Sequence, residues 1–463
     1  MKKIVLITSL LTVLCILTSS CSKYIHSAVQ VPLYFEGHES YQVAIAVDFF
    51  GKKHIARTEC PIGTITNCRL IYTTVINGQP HNEFSLFPVA GENYLDPDIV
   101  VTDSGIAFIV WRWYNRGGNG KYEDWWLRSD DGSHSRIDPA YDSAGPPKLA
   151  KHFEYVYVAY EVVNGTQGGS ALRFRELNPL DSHAGWVADH TINEYRRTNI
   201  HMAVSGDGWL FITFQYNTYY LYSTNYGLPG DMTVVELVIN PIPTVTHGVH
   251  IDINGAPGTA YMVAVGKVTP GPGVSDQLFI THCPIASCSG SFYVTETVPL
   301  SGTDQWDIIG EPDIVSDVNA VFPDNERAYI SFLARNTATG GHSDVFSLYY
   351  EEGIPGIISV PTNLSNSPSI DETEPSIGLM WSIFAVAGWR KDLGSGNFGD
   401  AVEFDSLDYE LRTVRSSTSG RAGYDMACNA DWGSGIWNEL TNGRITPWVV
   451  FNTIPIFLPV IKK

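Results

Sequence analysis

Along this chain, short apolar runs bounded by polar turn residues recur in a fixed order. A short apolar strand comes first, then a turn. An apolar strand ending in an aromatic follows, and after it a loop rich in Gly and Asn. Residues 98–111 (DIVVTDSGIAFIVW) carry the clearest copy. Residues 200–214, 313–332 and 377–388 repeat it, and looser copies begin at Lys148 and His250. Short apolar runs bounded by Gly, Asn, Asp and Ser predict β-strands and not helices. After the first twenty residues no stretch keeps apolar residues at helical spacing for three turns, so almost no helix is expected.

Anchored on their first strands, the copies start at Asp98, Lys148, Asn199, His250, Asp313 and Ser376, with steps of about 50 to 63 residues. A third strand is expected after each, at 125–128, 172–175, 220–223, 277–282, 345–349 and 401–404, all rich in β-branched and aromatic residues. A strand-only repeat of that period predicts a β-propeller built from four-stranded antiparallel blades. One period beyond Ser376 falls near Tyr424, where a last strand pair begins. At the other end, 43–48, 53–59 and 69–76 read as three strands without a first. Joining the two ends gives a seven-bladed ring closed by N- and C-terminal strands, with six or eight blades as the alternatives. Closure of that kind removes exposed sheet edges. The expected organisation is a signal peptide over 1–20, a tether over 21–40 and one propeller domain over 41–463.

The first residues change the picture of where the protein works. Lys2 and Lys3 precede an apolar run from Ile4 to Leu17, then small residues and Cys21. This reads as a secretory signal, too short for a dependable membrane span. Cys21 follows Leu17-Thr18-Ser19-Ser20 in the manner of a bacterial lipoprotein box, so lipidation at Cys21 and plain cleavage both stand open. The expected location is extracellular or on the outer face of the envelope. Seven cysteines are present. CPIGTITNC (60–68) and CPIASC (283–288) each sit in a hairpin, which in an exported protein predicts disulfides Cys60–Cys68 and Cys283–Cys288. Both pairs are expected between a third and a fourth strand. Cys428 is left over.

With 29 Lys plus Arg against 49 Asp plus Glu, the net charge is −20. No basic cluster appears, which argues against nucleic acid and against nonspecific attachment to anionic membranes. Arg112, Arg335 and Arg390 fall at even offsets from Phe108, Tyr329 and Phe384. Alternation then puts them on equivalent faces of their blades, where guanidinium groups hold a carboxylate or sulfate; inter-blade ion pairs are the competing reading. Trp125 and Tyr219 lie beside loops between second and third strands, where rings suit sugar stacking. Trp111 and its equivalents Phe214 and Phe332 are expected in the core. Asp98, Asp103, Asp207, Asp313 and Asp317 recur with the repeat and are read as turn-capping groups. No HExxH, zinc-type spacing, phosphate loop or nucleophile elbow occurs, so no metal, cofactor or catalytic residue is assigned.

The repeat resembles the blades of exported bacterial propellers of the sialidase-like, BNR-repeat superfamily. Ser223-Thr224-Asn225-Tyr226-Gly227 has the spacing of that superfamily's Asp-box with Asn in place of Asp, and 129–132 (SDDG) is one residue short of it. The Arg-Ile-Pro motif of sialidases is not found. The expectation is therefore a monomeric exported propeller that binds a ligand such as a glycan without catalysis. A sialidase-like glycoside hydrolase and a protein-interaction scaffold are the alternatives.

Overall fold

A computed structural model describes residues 25–177, apart from 116–119, 139, 141 and 165–168; between 198 and 453 it describes chiefly the strands and adjoining turns. Every regular element among the described residues is a β-strand. The strands pair into antiparallel sheets that follow one another along the chain, most of them four-stranded. Their first strands, in order, are His38–Val47, Asn93–Val101, Lys148–His152, Thr198–Val204, Thr244–Ile253, Trp306–Ser316, Asp371–Met380 and Tyr424–Cys428.

Each first strand packs on the first strand of the next sheet, and the sheet beginning at Tyr424 lies against His38–Val47. First strands thus form the inner edge of the assembly, and fourth strands its rim. The core lies between neighbouring sheets. Ala44, Ala56, Leu70 and Tyr72 of the first sheet bury against Ile99, Ile109, Trp111 and Leu127 of the second. The fifth and sixth sheets meet through Tyr261, Val263, Ile280, Ile314, Ile330 and Phe332. Trp111 and Phe332 are buried, as their place in the repeat requires. The second strands Ala107–Asn115 and Arg327–Asn336 are buried on both faces over 107–111 and 328–334, which explains their unbroken apolar runs.

The termini do share a sheet. Ile25–Gln30 pairs antiparallel with Arg444–Thr453, from Ile25 opposite Thr453 to Gln30 opposite Trp448. Residues 25–30 thus form an outer strand of that sheet. The shared sheet is not completed by 43–76, however. His38–Val47, Lys53–Pro61, Arg69–Ile76 and Gln79–Leu86 make a complete sheet by themselves. Its fourth strand, QPHNEFSL, is polar and mostly exposed, so no apolar alternation marks it in the sequence. In the seventh sheet Asn397–Gly399, and not 401–404, pairs with Phe384–Gly394; Val402–Glu403 pairs instead with Arg412–Thr413.

First strands carry a recurrent irregularity. Register shifts fall between Ser40 and Gln42, Leu95 and Asp98, Thr198 and His201, His247 and Val249, Ile309 and Asp313, and Thr373 and Ser376. Three of these bulges contain a proline, in Asp96-Pro97-Asp98, Glu311-Pro312-Asp313 and Glu374-Pro375-Ser376. A bulge tolerates proline because the ladder asks no N–H of the extra residue. Asp96 and Gly310 take positive φ, 52° and 78°, at the first bulged position. An added Cβ at Gly310 would come 3.8 Å from Leu333 Cδ1, so the cost of substitution there is backbone strain and not space.

Candidate functional site

Bulged first strands bring side chains of successive sheets to one another. Gln42 donates its amide to Asp96 Oδ1 at 2.7 Å and accepts the Asp96 backbone N–H at 2.8 Å. Asp98 accepts the N–H of Leu149 in the next sheet at 2.8 Å. Asp313 does the same for Ile377 at 2.9 Å and takes the Ser376 hydroxyl at 3.0 Å. These aspartates are clasps between blades, not turn caps. Asp103, at a turn, pairs with Lys151 of the next sheet at 2.7 Å. Asp207 and Asp317 lie outside the described residues.

The inner edge becomes chemically dense at the third to sixth sheets. His201 and His250 meet with ring centroids 3.4 Å apart and planes tilted by 33°. His250 Nδ1 lies 3.2 Å from Asp313 Oδ1, and its Nε2 lies 3.5 Å from Glu311 Oε2. A carboxylate can only accept, so Nδ1 carries the proton toward Asp313. The His250 side chain is 12 % exposed and that of Glu311 44 %. Burial, then the charges of His250 and Lys148, push the pKa of His201 well below the ordinary histidine value, which keeps that ring neutral. Burial also opposes a charge on His250, but the hydrogen bonds to Asp313 and Glu311 outweigh it and raise its pKa. One ring nitrogen from each histidine and one Glu311 oxygen all lie within 4.8 Å of each other. Among the described residues these are the groups able to hold a metal ion together.

Sequence spacing could not show this set, because its members come from three sheets, one repeat apart. The signal that marks it is the tripeptide Glu311-Pro312-Asp313, where a proline interrupts a strand and betrays a bulge. His250 opens its own copy of the repeat, but nothing in a single strand reveals its partner.

The residues picked from the sequence fare differently. Arg112 is ion-paired with Asp96 of its own sheet and lies over the Tyr122 ring at 4.8 Å. Arg112 and Arg390 stand two residues past Val110 and Gly388, which face the equivalent post-bulge residues Asp98 and Ser376; Arg335 stands four past Ser331. All three share a face of the pleat, with Arg335 one pleat further out and exposed. The Arg390 side chain lies outside the described residues. Trp125 is half-buried between sheets, edge-on to Trp113 at 5.0 Å and 6.4 Å from Trp111, and it donates to Glu123 at 3.1 Å. That environment is packing. Tyr219 and Cys21 lie outside the described residues.

Cys60 and Cys68 are disulfide-bonded. They join the end of a second strand to the start of a third, one strand earlier than expected, because 43–48 belongs to a first strand. Cys283 instead ends a third strand, so the two CPI segments are not equivalent in the fold. Cys288 lies outside the described residues. A further residue with no sequence signal is Asp124, opposite Arg112 across the ladder. It is 4 % exposed, with the charges of Arg112 and Arg136 acting on it. Burial drives its pKa well above the usual carboxylate range.

No protein-family model matches the chain, and no curated protein matches it. Solved structures do. The WD40 domain of SCAP from fission yeast aligns over 93 % of this chain and 98 % of its own, at 10 % identity and a TM-score of 0.50. The β-propeller domain of the Trilobed protease from Pyrococcus furiosus aligns over 82 % and 98 %, at 8 % identity and a TM-score of 0.45. An Aleuria aurantia lectin in complex with alpha-methyl-L-fucoside aligns over 73 % and 98 %, at 12 % identity and a TM-score of 0.34. The strand pairings and the first of these likenesses give the chain the fold of a β-propeller.

Proposed function

We propose that this chain is an exported ring of eight blades that binds a ligand, a glycan, at the inner edge of its first strands and does not cleave it. Six blades come from the recurring copies, the seventh from 38–86, and the eighth is shared by the termini. The observation that carries the binding reading is the run of ionisable side chains over four consecutive first strands: Lys148, His201, His250, and Glu311 with Asp313. A line of donors and acceptors several residues long suits a polyhydroxylated ligand better than an apolar one. Arg335, exposed on the pleat face it shares with Arg112 and Arg390, suits an acidic substituent.

A glycan array tests this. The wild type is expected to be retained on a subset of glycans, and Lys148→Ala to lose that retention with an unchanged melting temperature. Retention by no glycan, or full retention by Lys148→Ala, overturns the reading. The second reading is a glycoside hydrolase, favoured by Asp124, a buried carboxyl of raised pKa, which is the property of a general acid. Release of reducing sugar from an arrayed glycan by wild type, lost in Asp124→Asn, decides for that reading.

A further inference from the structure

We propose that His201, His250 and Glu311 form a binding site for one divalent transition-metal ion of the zinc class. The inference goes beyond glycan binding and does not require it. Two imidazoles and one carboxylate are the donor set that suits zinc and its neighbours, whereas calcium and magnesium prefer oxygen throughout. The spacing agrees. Ligands about 2.1 Å from a tetrahedral ion stand about 3.4 Å from one another. His250 Nε2 and Glu311 Oε2 are 3.5 Å apart, long for a hydrogen bond but fitting for two ligands of one ion.

The surroundings supply what such a site needs. Metal-bound histidines commonly donate their other ring N–H to a carboxylate, which fixes tautomer and ring orientation. His250 Nδ1 faces Asp313 Oδ1 in that manner. Asp313 is itself held by the N–H of Ile314 at 3.0 Å and by Ser376 and Ile377 of the next sheet. Asp313 is thus a positioning residue, and the bulge at Gly310-Glu311-Pro312 turns Glu311 toward His250. Three protein ligands leave a fourth position open, and half-exposed Glu311 shows that solvent reaches this edge. The open position would take an oxygen of water or of a bound ligand.

The test is calorimetric titration of tag-free, chelator-treated protein with zinc chloride at neutral pH, with calcium chloride as the comparison. One equivalent of zinc is expected to bind, and calcium not to compete. Glu311→Gln and His201→Gln are expected to abolish the one-equivalent transition. Asp313→Asn is expected to weaken zinc binding about 10- to 100-fold, through orientation alone. Melting curves without metal show whether each variant is folded. Glu311 is half-exposed, so Glu311→Gln keeps the test decisive if His201→Gln does not fold. No one-equivalent binding by wild type, unchanged affinity in folded Glu311→Gln, or tighter binding of calcium would each overturn the proposal. Because the probe is zinc alone, its failure is distinct from failure of the glycan reading.

Discussion

Glu59→Gln isolates the contact that ties the segment after Ile25–Gln30 to the first sheet. Arg57 and Glu59 are both fully buried, with Arg57 Nη2 2.9 Å from Glu59 Oε1. Glu59 also accepts the backbone N–H groups of Tyr34 at 2.9 Å and Phe35 at 3.3 Å. Arg57 reaches the Pro32 carbonyl at 3.0 Å and Asn82 at 3.3 Å, and it also donates to Thr73. The pair therefore staples 32–35, the link between Ile25–Gln30 and the first sheet. Arg57 Nε and the two amides give three hydrogen bonds to a charged acceptor. At about 1.5–3 kcal/mol each they would sum to about 4.5–9 kcal/mol. That approaches the whole stability of a domain, about 5–15 kcal/mol, so the terms cannot add. The cost of stranding one member of a buried pair is the better guide, about 3–5 kcal/mol. Urea unfolding followed by tryptophan fluorescence measures it. Glu59→Gln and Arg57→Met should each lose about that much. The double variant Arg57→Met/Glu59→Leu should lose less than either, because no charge is left unpaired. A loss under about 1 kcal/mol for Glu59→Gln, or a double variant worse than the sum of the singles, would refute this reasoning.

Deleting 421–463 removes three of the four strands of the shared sheet and should give aggregated protein; a soluble product with unchanged melting temperature would contradict ring closure. Mass spectrometry of a non-reduced digest should show Cys60 joined to Cys68, and Cys60→Ser/Cys68→Ser should lower stability by about 2–3 kcal/mol, the closure entropy of so short a loop. Burial holds the pKa of His54 below its ordinary value against the opposing hydrogen bond that His54 donates to Asp48, while its ring also bonds Tyr72 at 2.6 Å. The unfolded chain then takes up this proton first. His54 should therefore cost stability as pH falls through the ordinary histidine value near 6.5. Unfolding curves of wild type and His54→Gln from pH 7.5 to 5.5 should converge as pH falls, and parallel curves would contradict the assignment.

What the sequence reveals follows the strength of its apolar runs. Residues 98–111 and 313–332 announce two strands and a turn because their second strands are buried on both faces. Gln79–Leu86 was invisible because an outer strand owes its place to backbone pairing and needs no apolar face. Missing it misplaced the first sheet by one strand and made the two CPI segments look equivalent. Asp98 and Asp313 were conspicuous, yet their partners belong to the next repeat, so a local reading took them for turn caps. The same limit hid His201, His250 and Glu311. Arg112 stood out by position, but Asp96, which occupies it, is visible only once the bulge is known.

X-ray diffraction from crystals grown with zinc, with anomalous data at the zinc edge, tests the central claim most directly. The account predicts eight sheets about one axis, the last completed by Ile25–Gln30, and one strong anomalous peak bounded by His201, His250 and Glu311. A ring of another blade number, or a map with zinc elsewhere and nothing between those two histidines, would contradict it.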